Sequence, residues 1–342
     1  MPGFIGSIKD NYLATGSGIL PFQDAQRALS FVFDHYEYQI PFWFSLPNRS
    51  FFEKDVVRFC DNLPGFKVDE FQKKAWIDTR CPGFEAALEE CVTRCMALDA
   101  GYFAFSQQNS PSLYLLSQRL MGMNWQGWVK FQVLGPLSAG VGLCDENGKP
   151  LIFHEELGEL VPLVLSLKTA WLIRQFRANV KTKMIVVIDE SSICLSAMEL
   201  PLEEIIERLN SLIEVIHDNE ALCALRISNV KDCVFTQRLS IDLLHFDVCG
   251  NFEVLAEFEK ALASFLKRGG VPILGCVPVE QEGLQGFDLR NRLFQKIKPH
   301  QFLLKNGVLI TTDGDISSSS EAAVCESAEV CKDLAESLRL MF

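Results

Sequence analysis

The stretch KMIVVIDE, residues 183–190, holds an unbroken apolar run from Met184 to Ile188 and ends on two carboxylates. A strand that is apolar on both faces is covered on both, which is the condition of a parallel sheet flanked by helices. The same reading repeats along the chain at YLATGSG (12–18), IPFWFSL (40–46), WVKFQVLG (128–135), ALCALRI (221–227), IDLLHFD (241–247), VPILGCVP (271–278) and GVLITTD (307–313). With KMIVVIDE these make eight predicted strands. Long amphipathic segments separate most of them, the alternation of parallel βα units. Their ends carry recognisable signals: Asp24 before QRALSFVFDHY, Pro201 before LEEIIERLNSLIEVI, and Gly269-Gly270 after EVLAEFEKALASFLKR. The expectation is an α/β chain forming one (β/α)8 TIM barrel over residues 1–342. Residues 48–127 read as a mainly helical insertion after the second strand, and DENGKP (145–150) reads as a tight turn.

Bulk properties narrow the function. The 342 residues are 48% apolar, enough to bury a large core. A net charge of −12, with no Lys/Arg cluster, predicts no nucleic-acid partner. The opening MPGFIGSIKD has no apolar core of a signal peptide, and Leu160 to Ile173 is short and broken by Lys168, so no membrane span and a cytoplasmic location are expected. The twelve cysteines form no CxxC pair and read as reduced thiols. The 26 phenylalanines read as core.

In a barrel of this kind the chemistry sits at the C-terminal ends of the strands. Those ends supply Ser17, Trp43, Gln132, Asp189, Glu190, Arg226, Ser228, Asp247, Cys249 and Asp313. Carboxylates, a cation and a thiol converging on one mouth suit a polar small molecule or a metal. Trp43 is expected there as a stacking surface. His245, inside LLHFD, reads as a packed, hydrogen-bonded residue.

Several of these segments resemble the C-terminal domain of cobalamin-independent methionine synthase, within the superfamily that also holds uroporphyrinogen decarboxylase. ATGSGILPF is similar to that family's Gly-Ser-Leu-Pro turn, PFWFSLP to its second strand, and FQVLGPLS to its Gln-x-x-Gly-Pro strand. IDESS is similar to Ile-Asp-Glu-Pro, and LLHFD followed by GCVPV to the next two strands. The resemblance implies transfer of a methyl group to a small thiol such as homocysteine, held on zinc as a thiolate. A folate, or for short forms such as this one a methylated corrinoid protein, would supply the methyl group. It also implies that Asp189 binds the acceptor's amino group, with Ser191 standing where the family has proline and Ile19 where it has serine. Of the implied zinc ligands, Asp247 is kept. The His and Cys positions hold Cys223 and Leu225, or Arg226 and Ser228, and the last Cys is replaced by Asp313 or Gly314.

The first expectation is therefore a methionine-synthase-like methyltransferase. Asp189, Glu190 and Arg226 would be its catalytic groups, and Ser17, Trp43, Gln132, Ser228 and Asp313 would contact substrate. Zinc would be rebuilt on Cys223, Asp247 and Cys249. Two alternatives stand beside it: a barrel that has lost catalysis and serves as a binding or partner subunit, and an enzyme on an anionic substrate gripped by Arg226.

Overall fold

A computed structural model describes residues 7–248, 252–279, 286–314 and 316–341. Its centre is a curled sheet of seven parallel strands. Together with a hairpin outside that sheet, the strands in chain order are β1 (Tyr12–Ala14), β2 (Phe66–Asp69), β3 (Lys74–Ile77), β4 (Trp128–Leu134), β5 (Lys183–Asp189), β6 (Leu222–Ile227), β7 (Leu243–Asp247), β8 (Val271–Val277) and β9 (Val308–Thr312). The seven-stranded sheet runs in the order β1-β9-β8-β7-β6-β5-β4. Eleven α-helices surround it among the described residues. None is long and apolar enough to cross a membrane.

Seven of the eight predicted strands lie in this sheet. The eighth, residues 40–46, is extended but makes only isolated parallel bridges, Thr15 to Ile40 and Ile19 to Ser45 on one side and Phe42 to Lys130 on the other. Two local causes break its ladder. Pro41 has no N–H to donate. The Trp43 N–H points to the Lys130 carbonyl, whereas the Ser45 N–H, which a regular strand would aim the same way, points back to the Gly18 carbonyl.

Period-2 alternation sorts side chains onto the two faces of the sheet. Trp128, Ile185, Val187, Ala224, Leu243, Val271, Ile273 and Leu309 form an inner apolar cluster with Leu13 and Ile40. Their neighbours Val129, Phe131, Val186, Ile188, Cys223, Leu225, Leu244 and Leu274 belong to the larger outer core under the helices. The inward parity continues upward through Lys130, Gln132, Asp189, Arg226, His245 and Asp247.

The predicted helix ends are found where expected. Asp24 Oδ1 accepts from the Arg27 N–H at 2.7 Å, Pro201 precedes helix Leu202–Asp218, and Gly269 follows helix Val254–Lys267 at φ +85°. DENGKP is a turn in which Asp145 Oδ1 accepts from the N–H groups of Asn147 and Lys149. Within 48–127 lie the helices Asp55–Cys60, Phe84–Met96 and Pro111–Gly122. The antiparallel β2–β3 hairpin in the same region departs from the helical expectation. Buried Lys168, from helix Glu155–Asn179, ties this region down by donating to Asp61 Oδ1 at 2.5 Å and to Asn62.

Gly16 marks how closely residues 40–46 pack against the chain after β1. A Cβ there would stand 2.2 Å from the Phe42 ring. Gly16→Ala should therefore cost about 1–3 kcal/mol in urea unfolding through overpacking; an unchanged midpoint would show that this contact is loose.

Candidate functional site

The C-terminal ends of the strands surround a cavity of about 580 Å³, lined by residues that include Ser17, Asp189, Arg226, Ser228 and Asp247. Ser138, Ser191 and Ser192 add hydroxyls, and Asp55 and Val56 reach the rim from the 48–127 region. Asp55 is already paired with Arg58 at 2.6 Å.

Arg226 organises the centre. Its Nη2 donates to Asp247 Oδ2 at 2.9 Å, and its Nη1 lies 3.5 Å from Asp189 Oδ2. Gln132 Nε2 donates to the same Asp189 oxygen at 2.6 Å, and the Ser191 N–H donates to Asp189 Oδ1 at 2.9 Å. Burial works against the Arg226 charge, but Asp189 and Asp247 outweigh it and hold the guanidinium more firmly protonated than usual. Burial would likewise raise the Asp247 carboxyl; His245 and Arg226 reverse that and hold it well below the usual carboxylate range. Two carboxylates thus share one cation, and the cluster carries net negative charge. Asp313, whose charge also reaches Arg226, adds to it.

Below the guanidinium the interior remains polar. Lys130, 1% exposed, donates to the Gly16 carbonyl at 2.6 Å. Burial, reinforced by Arg226, pulls its amine down to about 7 against the attraction of Asp189. His245, 2% exposed, has its Nε2 3.5 Å from Asp247 Oδ1, and neither ring nitrogen has a hydrogen-bond partner among the described residues. Burial pulls the imidazole down to about 4. Gln132 Oε1, Arg226 Nε and Thr311 Oγ1 are also buried without a described partner. The histidine is packed in the interior as expected, with Asp247 as its polar neighbour.

The structure brings Ser17, Gln132, Asp189, Arg226, Ser228 and Asp247 together at or beside the cavity. Ser228 Oγ is held by the Ile193 carbonyl at 2.5 Å. Asp313 follows β9, its N–H bonded to the Val277 carbonyl. Three expectations are not met. Trp43 faces the outer core, where its indole donates to Ser112 Oγ at 3.1 Å and the Arg58 guanidinium lies 4.1 Å over its ring, so no ligand can stack on it. Glu190 turns away from the mouth. Its buried carboxylate accepts from the Leu137 and Ser138 N–H groups at the start of helix Pro136–Gly142, and burial pushes it up to about 7. Cys223 has the opposite parity to Arg226 and packs in the outer core, its thiol raised well above its ordinary value by burial.

The same geometry separates two of the expected zinc ligands. Cys223 and Asp247 lie on opposite faces of the sheet, and the Arg226 cation holds the carboxylate that a metal would need. Among the described residues no three His, Cys, Asp or Glu side chains form a group able to hold a metal ion. Cys249 lies outside the described residues.

No protein-family model matches the chain, and no curated protein matches it in sequence. Among solved structures it is similar to a provisionally assigned vitamin-B12 independent methionine synthase from Listeria monocytogenes, at 12% identity and a TM-score of 0.46 over 65% of this chain and 69% of that one. It is also similar to a psychrophilic glycoside hydrolase family 10 endo-β-1,4-xylanase, at 12% identity and a TM-score of 0.41 over 69% and 82% of the two chains. A third structure, a provisionally assigned fructose-1,6-biphosphate aldolase from Coccidioides immitis, shares 11% identity at a TM-score of 0.30 over 67% and 84%. At these values none of the three bears on what this chain does.

The low His245 value has a measurable consequence. A histidine ordinarily near 6.5 that is held near 4 when folded binds fewer protons in the native state than in the unfolded one across that interval. Its contribution to stability is then complete above 6.5 and lost as pH falls toward 4, by on the order of 3 kcal/mol. Urea unfolding of wild type and His245→Asn across this range should show a shallower pH slope in the variant; equal slopes would mean that the imidazole is not held neutral.

Proposed function

We propose that the chain is a closed (β/α)8 barrel, its second strand position filled by residues 40–46, whose mouth binds a small molecule bearing hydroxyl or amino groups. The observation that carries this reading is the sharing of one guanidinium by Asp189 and Asp247 beside a serine-rich cavity. Those carboxylates have acceptor capacity left over and a net negative field, which favours hydroxyl and ammonium donors. An anionic substrate gripped by Arg226 fits less well, because both faces of the fork-like contact are already taken by carboxylates. Methyl transfer to a zinc-bound thiolate, with folate or a corrinoid protein as donor, finds no support in the placement of Cys223, Arg226 and Asp247.

The test is a thermal-shift and calorimetry screen with three small-molecule groups: polyols, primary amines and carboxylates. Polyols or amines should raise the melting temperature, and Asp189→Asn should weaken the best of them about tenfold, or ~1.4 kcal/mol. Selective binding of carboxylates, or an affinity indifferent to Asp189→Asn, would contradict the proposal.

A further inference from the structure

We infer that Lys130 is a nucleophile, its amine condensing with a small uncharged hydroxyaldehyde or hydroxyketone that enters through the mouth. This rests on the reading of the mouth as a site for hydroxylated molecules.

The first ground is that Lys130 is a buried amine without a carboxylate partner, its nitrogen held by the Gly16 carbonyl and standing 5.6 Å from the centre of the Phe42 ring. It stands in the middle of β4, 1% exposed, and no carboxylate lies within salt-bridge distance of it among the described residues; the only hydrogen bond shown for its ammonium nitrogen goes to the Gly16 carbonyl. A long apolar side chain would fill the same space without the cost of burying an unpaired charge. The second ground is position. Gly16 precedes Ser17, which lines the cavity, and Gln132, one inward position above Lys130 on the same strand, holds the Asp189 that lines it too. Lys130 does not itself line the cavity; its nitrogen is held at the Gly16 carbonyl, next to the cavity-lining Ser17 and on the same inward face as Gln132. The third ground is the company it keeps. The side chains of Gln132, Arg226, His245 and Thr311 share that inward face, and each has a buried polar atom without a described partner. Buried polar atoms in native proteins are nearly always satisfied, so this interior is built to take further polar groups, whether water or part of a ligand.

The charges facing the amine come from three neighbouring strands: Asp189 on β5, Arg226 on β6 and His245 on β7. Burial and Arg226 favour its neutral form, and a lysine left neutral near physiological pH is the form that attacks carbonyls. In the step, the nitrogen lone pair adds to the carbonyl carbon while the carbonyl π bond becomes a C–O single bond. The proton lost from nitrogen passes to that oxygen, with His245 as the candidate carrier. A further proton releases the oxygen as water, leaving a protonated imine. No oxidant or reductant is consumed. The hydroxyl-rich, net negative mouth selects an uncharged hydroxylated carbonyl compound over an oxo acid.

The full chain would be incubated separately with glycolaldehyde, dihydroxyacetone and glyoxylate in the presence of sodium borohydride, then analysed by intact mass and peptide mapping. The expected result is one reduced adduct per chain, mapped to Lys130, formed with glycolaldehyde or dihydroxyacetone faster than with glyoxylate. Its rate should rise through about pH 7 and level off, instead of climbing toward the ordinary lysine value of 10.5. Lys130→Met, which places a volume-matched apolar chain in the interior, should stay folded and lose that adduct. Absence of a Lys130 adduct, or labelling spread over surface lysines at equal rates, overturns the inference. If dihydroxyacetone nevertheless raises the melting temperature in an Asp189-dependent way, the nucleophile alone has failed; if it does not, the reading of the mouth has failed with it.

Discussion

One guanidinium shared between two carboxylates sets the character of this interior. Arg226, Asp189 and Asp247 come from three adjacent strands, and none could be buried there alone without a penalty of several kcal/mol. Asp247 and Asp189 keep Arg226 charged in a low-dielectric setting, and Arg226 in turn keeps Asp247 ionised. The arrangement also demands space. Gly275, beside Asp247 in the sheet, has no room for a side chain, since a Cβ there would fall 1.9 Å from Asp247 Oδ1.

From that cluster the interior divides by height. Near the N-terminal ends of the strands, Leu13, Trp128, Ile185, Leu243 and Val271 make an apolar plug that secures the sheet. Toward the C-terminal ends the same inward positions become Lys130, Gln132, His245 and the charged triad. The polar half holds the partnerless buried atoms of Gln132, Arg226, His245 and Thr311, while in the apolar half the Trp128 indole N–H also lacks a described partner. The region 48–127 contributes mainly packing, with its Phe59 and Phe105 rings edge-on against Trp43 and its Arg58 lying over the same indole. It gives the mouth only Asp55 and Val56.

The strands of the sheet were readable because burial on both faces leaves an apolar run that little else produces, as in KMIVVIDE and VPILGCVP. Residues 40–46 have the same composition but do not continue a ladder, because backbone direction at Pro41 and Ser45 depends on neighbours that composition does not show. The β2–β3 hairpin was hidden by its short strands, four residues each and interrupted by charged side chains. At the site, Asp189, Arg226 and Asp247 were identifiable as strand-end polar residues. Parity decided the failures: Trp43 and Cys223 are on apolar strands where either face is sequence-compatible, and Glu190 lies one residue past Asp189 and so points elsewhere. Lys130 did carry a signal, a lone cation inside WVKFQVLG with the same parity as Gln132, but inward direction emerges only once the sheet curls.

The most direct test of this account is a double-mutant cycle between Arg226 and Asp247, using Arg226→Met, Asp247→Asn and the double variant in urea unfolding. Mutual dependence in a buried site predicts a coupling energy of about 2 kcal/mol or more, with each single variant costing more than its share of the double. A coupling below about 0.5 kcal/mol would show that the two side chains are independently solvated, and the cluster would no longer explain the character of the mouth.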